Sequence, residues 1–513
     1  MKTFKNIFYA VLLTVGLTSA LSSCTQWLEV YPQNEQVSDY YWENKEEVEA
    51  MLNGCYYYYR EMVDTKLIPY GELRAGQLFS RSSYSALQEF RVKETSEELA
   101  SWGSFYTVIN VANGVLKNAE KVLSNDETYD RNMLNAHKAE AYFLRALSYF
   151  YLVRNWKDVP LILLPYEDDS QSYLVKQSSE AEVVAQIRQD ITTALASGAA
   201  KEYYNKTWEN KGRATKWALY ALMADVCLWD EDYSTAERYC DSILLSSSSY
   251  APKLLTSPTH SAWFSIFNPG NSNESILELQ WDEDEEQLCD LPVLFSDADS
   301  RRVYAYTQKM TELFVDEYTY TQTRMTEAVR SMYGGFYCRD NYAVATTGYC
   351  WKYIGSEVLT EKRTSEHFDV NFILYRVGEV VLMKAEALIM QGRYQEAAVE
   401  MDKLRSRSNL AKVEDDIDLT TASELDMLTL LLNERATELA GEGKAWYDML
   451  RMGRRDNYKY KTELIISRLL DFNQSASSSW LLSVLSDNNA LYLPIWEDEL
   501  EVNPLLVQNP YYE

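Results

Sequence analysis

Ala385-Glu386-Ala387-Leu388-Ile389-Met390-Gln391-Gly392-Arg393-Tyr394-Gln395-Glu396-Ala397 is the stretch that decides the fold. It has an earlier counterpart, in which Ala224 and Leu228 precede Glu231-Asp232-Tyr233-Ser234-Thr235-Ala236. In both, an Ala stands twelve residues before the Ala of a Tyr-x-x-Ala step. An aromatic at the turn and a small residue on each side let two helices approach closely, so each stretch reads as a helical hairpin. Degenerate copies are expected at Ala141 to Val153 and at Ala181 to Leu195.

Helical periodicity extends outward from these units. His137 to Asn155 carries Ala141, Leu144, Leu147, Tyr151 and Leu152 at three- and four-residue steps. Trp217 to Trp229, Phe372 to Met390 and Leu425 to Leu439 repeat the pattern. Gly and Pro number only 18 and 11, too few for a turn-dense all-β architecture. Strand-like stretches are short, as at Ser275 to Trp281. The stretch from about 250 to 370, rich in Ser, Asn, Tyr and Asp, reads as irregular loops inserted into the frame. The expected fold class is all-α: a helical-repeat scaffold of the tetratricopeptide kind with long loop insertions.

The chain has 513 residues, 46% of them hydrophobic and 25% charged, enough to build a sizeable core. Lys plus Arg is 49 and Asp plus Glu is 77, a net charge of −28. So acidic a chain repels phosphate backbones, which argues against nucleic acid as a partner. The 40 Tyr and 13 Trp are a marked excess. Their rings join a flat apolar body to a polar tip and suit sugar-facing or protein-facing surfaces as well as cores.

The N-terminus carries Lys2 and Lys5, an apolar stretch from Ile7 to Leu21, then Leu21-Ser22-Ser23-Cys24. This is the pattern of a signal peptide, residues 1–23, and the small-residue pair before Cys24 resembles a bacterial lipobox. Cys24 is then the lipidation site, residues 24–513 form a single domain, and lipid rather than a helix holds the protein to a membrane. Loss of Lys2 and Lys5 takes the mature charge from −28 to −30. Later apolar runs such as Val377 to Met390 are broken by Glu379, Lys384 and Glu386. Six cysteines remain, Cys55, Cys227, Cys240, Cys289, Cys338 and Cys350. They are equally compatible with disulfides, such as Cys338 to Cys350, and with buried thiols. No CxxC pair is present, so a structural zinc site is not expected.

Catalytic constellations are mostly missing. His137, His260 and His367 lie far apart, outside any HExxH pattern. There is no GxSxG elbow, Walker loop or GxGxxG, and Gly441-Glu442-Gly443 falls within an expected helix. Asp282 to Glu286 has the composition of a calcium loop but more often such a run is a solvated surface. No metal and no cofactor are expected.

Several segments together resemble the SusD-like (RagB/SusD) family of outer-membrane nutrient-uptake lipoproteins. They are Trp27-Leu28-Glu29-Val30-Tyr31-Pro32, Val48 to Tyr56, Trp102 to Asn113 and Phe143-Leu144-Arg145-Ala146-Leu147 with Asp158-Val159-Pro160-Leu161. Gly212-Arg213-Ala214-Thr215 and Tyr375-Arg376 follow, then Glu434-Arg435, Glu438, Glu442-Gly443, Trp446, Asp448, Arg451 and Gly453. Leu493-Pro494-Ile495, Asn503-Pro504 and Gln508-Asn509-Pro510-Tyr511 close the chain. Departures are Gly76 where the family has Asp after Glu-Leu-Arg-Ala, Ala445 where an Arg is usual, and Trp496 where Pro is common. Arg145, Arg376 and Glu434 read as scaffold, satisfying helix ends and buried partners.

The resemblance implies a lipoprotein of the outer membrane, facing outward, that captures a glycan without chemistry and passes it to a SusC-like TonB-dependent barrel. The chain lacks an acidic cluster at Thr25, Gln26 and Trp27, so outward display rests on resemblance alone. Neutral glycans suit the acidic surface slightly better. A peptide or other nutrient is the alternative ligand, and a helical glycosidase or lyase the less favoured alternative function. Family sites lie in loops, which singles out Phe79, Arg81 and Tyr84 in the first interval. In the central insertion it singles out Tyr304, Tyr306, Tyr333, Phe336, Tyr337 and Tyr342. Arg81 is the preferred donor to ligand oxygens, and Tyr84, Tyr337 and Tyr342 the expected stacking platform. Phe90 and Trp351 read as core.

Overall fold

The computed structural model describes residues 41–513 apart from 81, 83, 168–170, 297–302, 333, 335–349, 357–361, 364–367 and 474. Its principal elements in chain order are α1 (Lys45–Glu61), β1 (Leu78–Ser80), α2 (Gly103–Asn118), α3 (Arg131–Trp156) and α4 (Glu180–Ala196). Then come α5 (Lys216–Trp229), α6 (Tyr233–Leu244), β2 (Ser275–Leu279), β3 (Tyr304–Tyr306) and α7 (Gln308–Thr323). The last are β4 (Phe372–Arg376), α8 (Val377–Met390), α9 (Tyr394–Arg407), α10 (Glu424–Glu438) and α11 (Ala445–Tyr458). The fold is all-α, with short antiparallel two-stranded pairings added: β1 with β3, β2 with β4, and Val159–Pro160 with Gln177–Ser178.

The helices begin where the sequence supplies caps. Asn44 with Glu47, Ser179 with Glu182 and Ser423 with Asp426 form capping boxes at the starts of α1, α4 and α10. Each pair satisfies first-turn N–H groups that have no partner inside the helix.

Helices pair in antiparallel hairpins: α3 with α4, α5 with α6, and α8 with α9. Ala224, Ala236, Ala385 and Ala397 are fully buried in the second and third of these, at the close approach that the repeat predicts. The hairpins stack, because α6 also lies against α8. Arg393 of the α8–α9 turn reaches Glu237 of α6 at 2.7 Å, and Lys384 reaches Asp241 at 2.7 Å. The degenerate copies expected at 141–153 and 181–195 are not two hairpins, since each lies within a single helix, α3 and α4. These two helices pair as one hairpin that is cross-linked inside, where Arg145 of α3 donates to both carboxylate oxygens of Asp190 of α4 at 2.7 and 2.8 Å.

Three further local expectations change. The stretch 250–370 is not wholly irregular, since α7 lies in it and buries Met310, Phe314, Tyr318 and Thr321 at helical steps. The Thr and Tyr residues that make up much of this face hide its period. Phe372 to Met390 is not one helix: its first five residues form β4, and α8 starts at Val377. A short continuous apolar run fits a buried strand and a buried helix equally well. Gly441-Glu442-Gly443 lies between α10 and α11, with φ of 76° at Gly441 and 74° at Gly443, a backbone that glycine adopts freely.

Among the described residues, no helix is long and apolar enough to cross a membrane. Cys55, Cys227, Cys240, Cys289 and Cys350 are buried free thiols. Cys24 and Cys338 lie outside the described residues.

Candidate functional site

The loop face singled out in the sequence is organised by the β1–β3 pair. Leu78 faces Tyr306, Phe79 faces Ala305 and Ser80 faces Tyr304. Side chains alternate across a strand, so Tyr304 and Tyr306 share one face with Leu78, and Phe79 takes the other. The first face is core: Tyr304 is 1% exposed and Tyr306 2% exposed. Their hydroxyls donate inward, Tyr304 to the Asp64 carbonyl at 3.4 Å and Tyr306 to the Gly334 carbonyl at 2.7 Å. Tyr304 and Tyr306 are therefore packing residues, which corrects their assignment as ligand contacts. Two aromatics two residues apart on a buried strand look the same in sequence as two on a binding surface.

Phe79 and Tyr84 are half-buried on this face. Tyr84 precedes a short helical turn, Ser85–Gln88, that is tied back to β1. The Ser80 N–H donates to Gln88 Oε1 at 2.8 Å, and the Gln88 amide donates to the Leu78 carbonyl at 2.7 Å. Burial, then a hydrogen bond to Glu98, push the Tyr84 hydroxyl pKa upward, so this hydroxyl is protonated at neutral pH. Arg81, Tyr333, Phe336, Tyr337 and Tyr342 lie outside the described residues.

The Glu-Leu-Arg segment beneath the face is a scaffold device. Glu72 Oε1 accepts the Gly443 N–H at 2.7 Å and the Lys444 N–H at 3.1 Å. A Cβ on Gly71 would collide with the backbone of Gly443, so the two turns touch main chain to main chain. Arg74 donates to Asn155 Oδ1 at 3.2 Å and to the Leu491 carbonyl, and stacks 4.4 Å from the Trp446 ring centre. Phe90 packs edge-on to Trp446 and Trp351 is fully buried, so both belong to the core as the sequence reading has them.

Glu434, Glu438 and Glu442 of the late signature belong to one buried ion network. Arg376 meets Glu438 at 2.7 Å, Glu442 at 2.9 Å and Glu274 at 3.0 Å. Arg407 meets Glu274 at 2.7 Å and Glu438 at 2.5 Å. Arg330 and Arg405 meet Glu434 at 2.6 and 3.0 Å. Burial alone raises the Glu438 pKa, but Arg407, Arg376 and Arg330 outweigh it and hold the carboxyl well below its usual range. Each charge is paired internally, so these residues hold β4, α9 and α10 together rather than reaching for a ligand.

His137 is buried, with Nδ1 at 3.1 Å from the Tyr129 hydroxyl, and His260 is engaged by Glu327, so they share no site. Asp282 to Glu286 forms a tight turn in which Asp282 accepts the Asp284 N–H at 3.0 Å. Among the described residues, no group of three or more His, Cys, Asp or Glu is disposed to hold a metal ion.

Sequence reasoning passed over Tyr57, Arg60 and Trp208. With Trp281 they line a cleft of about 580 Å3 beside α1. Trp208 sits in a non-periodic connection, and Tyr57 is one of four successive tyrosines of which only Tyr56 and Tyr59 are buried, so neither stood out.

Residues 300–512 match the model of the SusD family, and residues 26–228 match a family described as starch-binding, associating with outer membrane. The chain belongs to the SusD-like family. A SusD-like protein of Formosa agariphila, P38, is 24% identical over the full length of both chains. A SusD-like protein of Bacteroides ovatus is 27% identical over 55% of this chain and 51% of its own. Solved structures share the fold. A SusD superfamily protein from Bacteroides thetaiotaomicron superposes with a TM-score of 0.72 at 21% identity, over 92% of this chain and 99% of its own. A laminarin-binding SusD-like protein gives 0.66 at 21% identity, over 91% and 99%.

Proposed function

We propose that this SusD-like protein binds oligo- or polysaccharide at the outer face of the outer membrane, anchored by lipid on Cys24. It delivers the glycan to a SusC-like TonB-dependent barrel. The observation that carries the reading is the match of residues 26–228 to a starch-binding family associated with the outer membrane. Tyr84 supports it: it is only partly buried at the loop face, and an aromatic ring there can stack on the apolar C–H side of a pyranose, which with a few hydrogen bonds gives modest, stereospecific affinity. In this reading Arg81, Tyr333, Phe336, Tyr337 and Tyr342 complete the site around Tyr84. The protein performs no chemistry on its ligand. The net charge of −28 favours neutral glycans over polyanionic ones.

The test is titration of intrinsic tryptophan fluorescence with neutral glycans, acidic glycans and peptides. Saturable quenching by one glycan class upholds the reading. A response to peptides alone replaces it with peptide uptake, and release of shortened sugars replaces it with an enzyme. Delivery is tested by co-purification from outer membranes with a TonB-dependent barrel. Cys24→Ser, which removes the lipid, is expected to release the protein from the membrane fraction.

A further inference from the structure

The cleft beside α1 lies apart from the loop face and is built differently. Asn53, Tyr57 and Arg60 line its α1 wall at i, i+4 and i+7, so one helix face presents all three. Trp208 and the Gln280-Trp281 step after β2 also line it. Gln280 ties these parts together: its amide donates to the Trp208 carbonyl at 2.9 Å and to Asn271 Oδ1 at 2.6 Å. Tyr57 and Trp208 are each 49% exposed, a large apolar area to leave in water unless something covers it.

Arg60 marks the cleft most clearly. Its guanidinium carbon lies 5.6 Å from the Tyr57 ring centre and 5.9 Å from that of Trp281. Nη1 donates to the Gln280 carbonyl at 3.0 Å and to the Gln287 side chain. Arg145, Arg213, Arg330, Arg376 and Arg451 each meet a carboxylate at 2.6–2.7 Å. Among the described residues, Arg60 has no such partner, and its Nε and Nη2 make no hydrogen bond. It is half-buried and lines the cleft, and in such a partly desolvated place a bond from its guanidinium to a hydroxyl or ring oxygen is stronger than in bulk water. Asp282, Glu285 and Asp369 also line the cleft and disfavour an anion.

We propose that this cleft is a second carbohydrate-binding site, taking a neutral pyranose segment between the rings of Tyr57, Trp208 and Trp281, with Arg60, the Asn53 amide and Gln280 Oε1 bonding its hydroxyls. The proposal rests on the glycan reading of the protein. The cleft and the loop face flank the C-terminal end of α1: Arg60 stands one turn before Asp64, whose carbonyl takes the Tyr304 hydroxyl. A glycan chain that engaged both would gain affinity by linkage rather than by new contacts.

The test is affinity electrophoresis of the purified protein in gels holding laminarin, soluble starch, xylan or galactomannan. Wild type is compared with the double variant Tyr57→Ala/Trp208→Ala and with Tyr84→Ala. The double variant is expected to bind the retarding polysaccharide about tenfold more weakly, with an unchanged thermal midpoint. A loss smaller than about threefold, roughly one ring's stacking contribution, overturns the cleft; retardation of the wild type leaves the glycan reading standing. Failure of every gel to retard the wild type overturns both. If the double variant does not fold, 5-fluorotryptophan labelling replaces it. The Trp208 resonance, assigned with Trp208→Phe, is expected to shift on adding the oligosaccharide of the retarding glycan, and a fixed resonance overturns the proposal.

Discussion

Glu231 and Gly392 occupy the same point of two helical hairpins, and both have left-handed backbone, with φ of 58° and 72°. The hydrogen bonds around them correspond one to one. The Glu231 N–H donates to Leu228 and the Asp232 N–H to Cys227; the Gly392 N–H donates to Ile389 and the Arg393 N–H to Leu388. This is the helix-ending arrangement in which a left-handed residue lets two N–H groups turn back onto the last carbonyls. The two copies solve the same turn, one with the residue type that fits and one with a residue that is strained there.

Exchanging the residues therefore shifts stability in opposite directions. Glu231→Gly relieves left-handed strain at an exposed position and is expected to stabilise by about 0.5–1 kcal/mol. Gly392→Ala is expected to destabilise by about 1 kcal/mol. A Cβ at Gly392 meets nothing within 4 Å, so its effect is conformational and not steric. Urea denaturation of both variants checks this, and a stabilising Gly392→Ala would contradict the turn geometry.

Tyr304 and Tyr306 give the test of core against surface. Tyr306→Phe removes a hydroxyl bonded to the Gly334 carbonyl at 2.7 Å, and leaves a buried carbonyl without that partner. The expected cost is about 1 kcal/mol, with glycan affinity unchanged. Tyr304→Phe loses only a 3.4 Å contact and is expected to cost less. Calorimetric melting together with the fluorescence titration checks both; a selective loss of affinity at normal stability would return these residues to the site.

The hairpin scaffold was legible because its signal is local: an Ala, a turn aromatic and a second Ala at fixed steps. Capped starts such as Ser179 with Glu182 are equally local. The loop face was legible only in part, because exposure is decided by partners distant in sequence. Tyr306 is buried because β3 pairs with β1, more than two hundred residues earlier, and nothing near Tyr306 announces that pairing. The cleft was hidden for the same reason: α1, the Trp208 connection and the end of β2 come together only in the folded chain. Arg145 and Arg376 were read correctly as scaffold, since a lone arginine in an apolar helical or strand run needs a buried acid, and this chain has acids to spare.

Arg376 shows what that network holds. Arg376→Met leaves Glu274, Glu438 and Glu442 close together in the core with one fewer cation. Uncompensated buried charge is expected to cost about 3–5 kcal/mol, or to stop folding at 37 °C. Pairing it with Glu442→Gln is expected to recover part of the loss, because one stranded carboxylate is removed. Urea midpoints of the single and double variants check this; additive losses would mean that the residues are not coupled.

Glu72 makes stability depend on pH in a window where most carboxylates do not. Burial pushes its pKa up to about 8, although the N–H groups of Lys444 and Gly443 work against the rise. Its second oxygen, Oε2, is buried without a hydrogen bond, as suits a neutral carboxyl more than an ionised one. Between about pH 4.5 and 8 the folded chain keeps this proton and the unfolded chain has lost it. Rising pH therefore favours the unfolded state, which has released the proton, and this group's contribution to stability falls through that window and is level above it. Glu438 behaves in the opposite way: its pKa is held below 4.5, so its contribution is lost only as pH falls under that value. Glu72→Gln keeps an acceptor for the Gly443 and Lys444 N–H groups but carries no titrating proton. It is expected to be less stable than wild type at pH 5, because its amide N–H groups are buried without partners, and the gap is expected to narrow steadily towards pH 8. Other raised carboxyls, such as Glu278 and Glu379, cancel in the difference, since both proteins carry them. Thermal midpoints of the two proteins at half-unit steps from pH 5 to 9 check this, and a gap that stays constant across the window would mean that Glu72 is already ionised at pH 5.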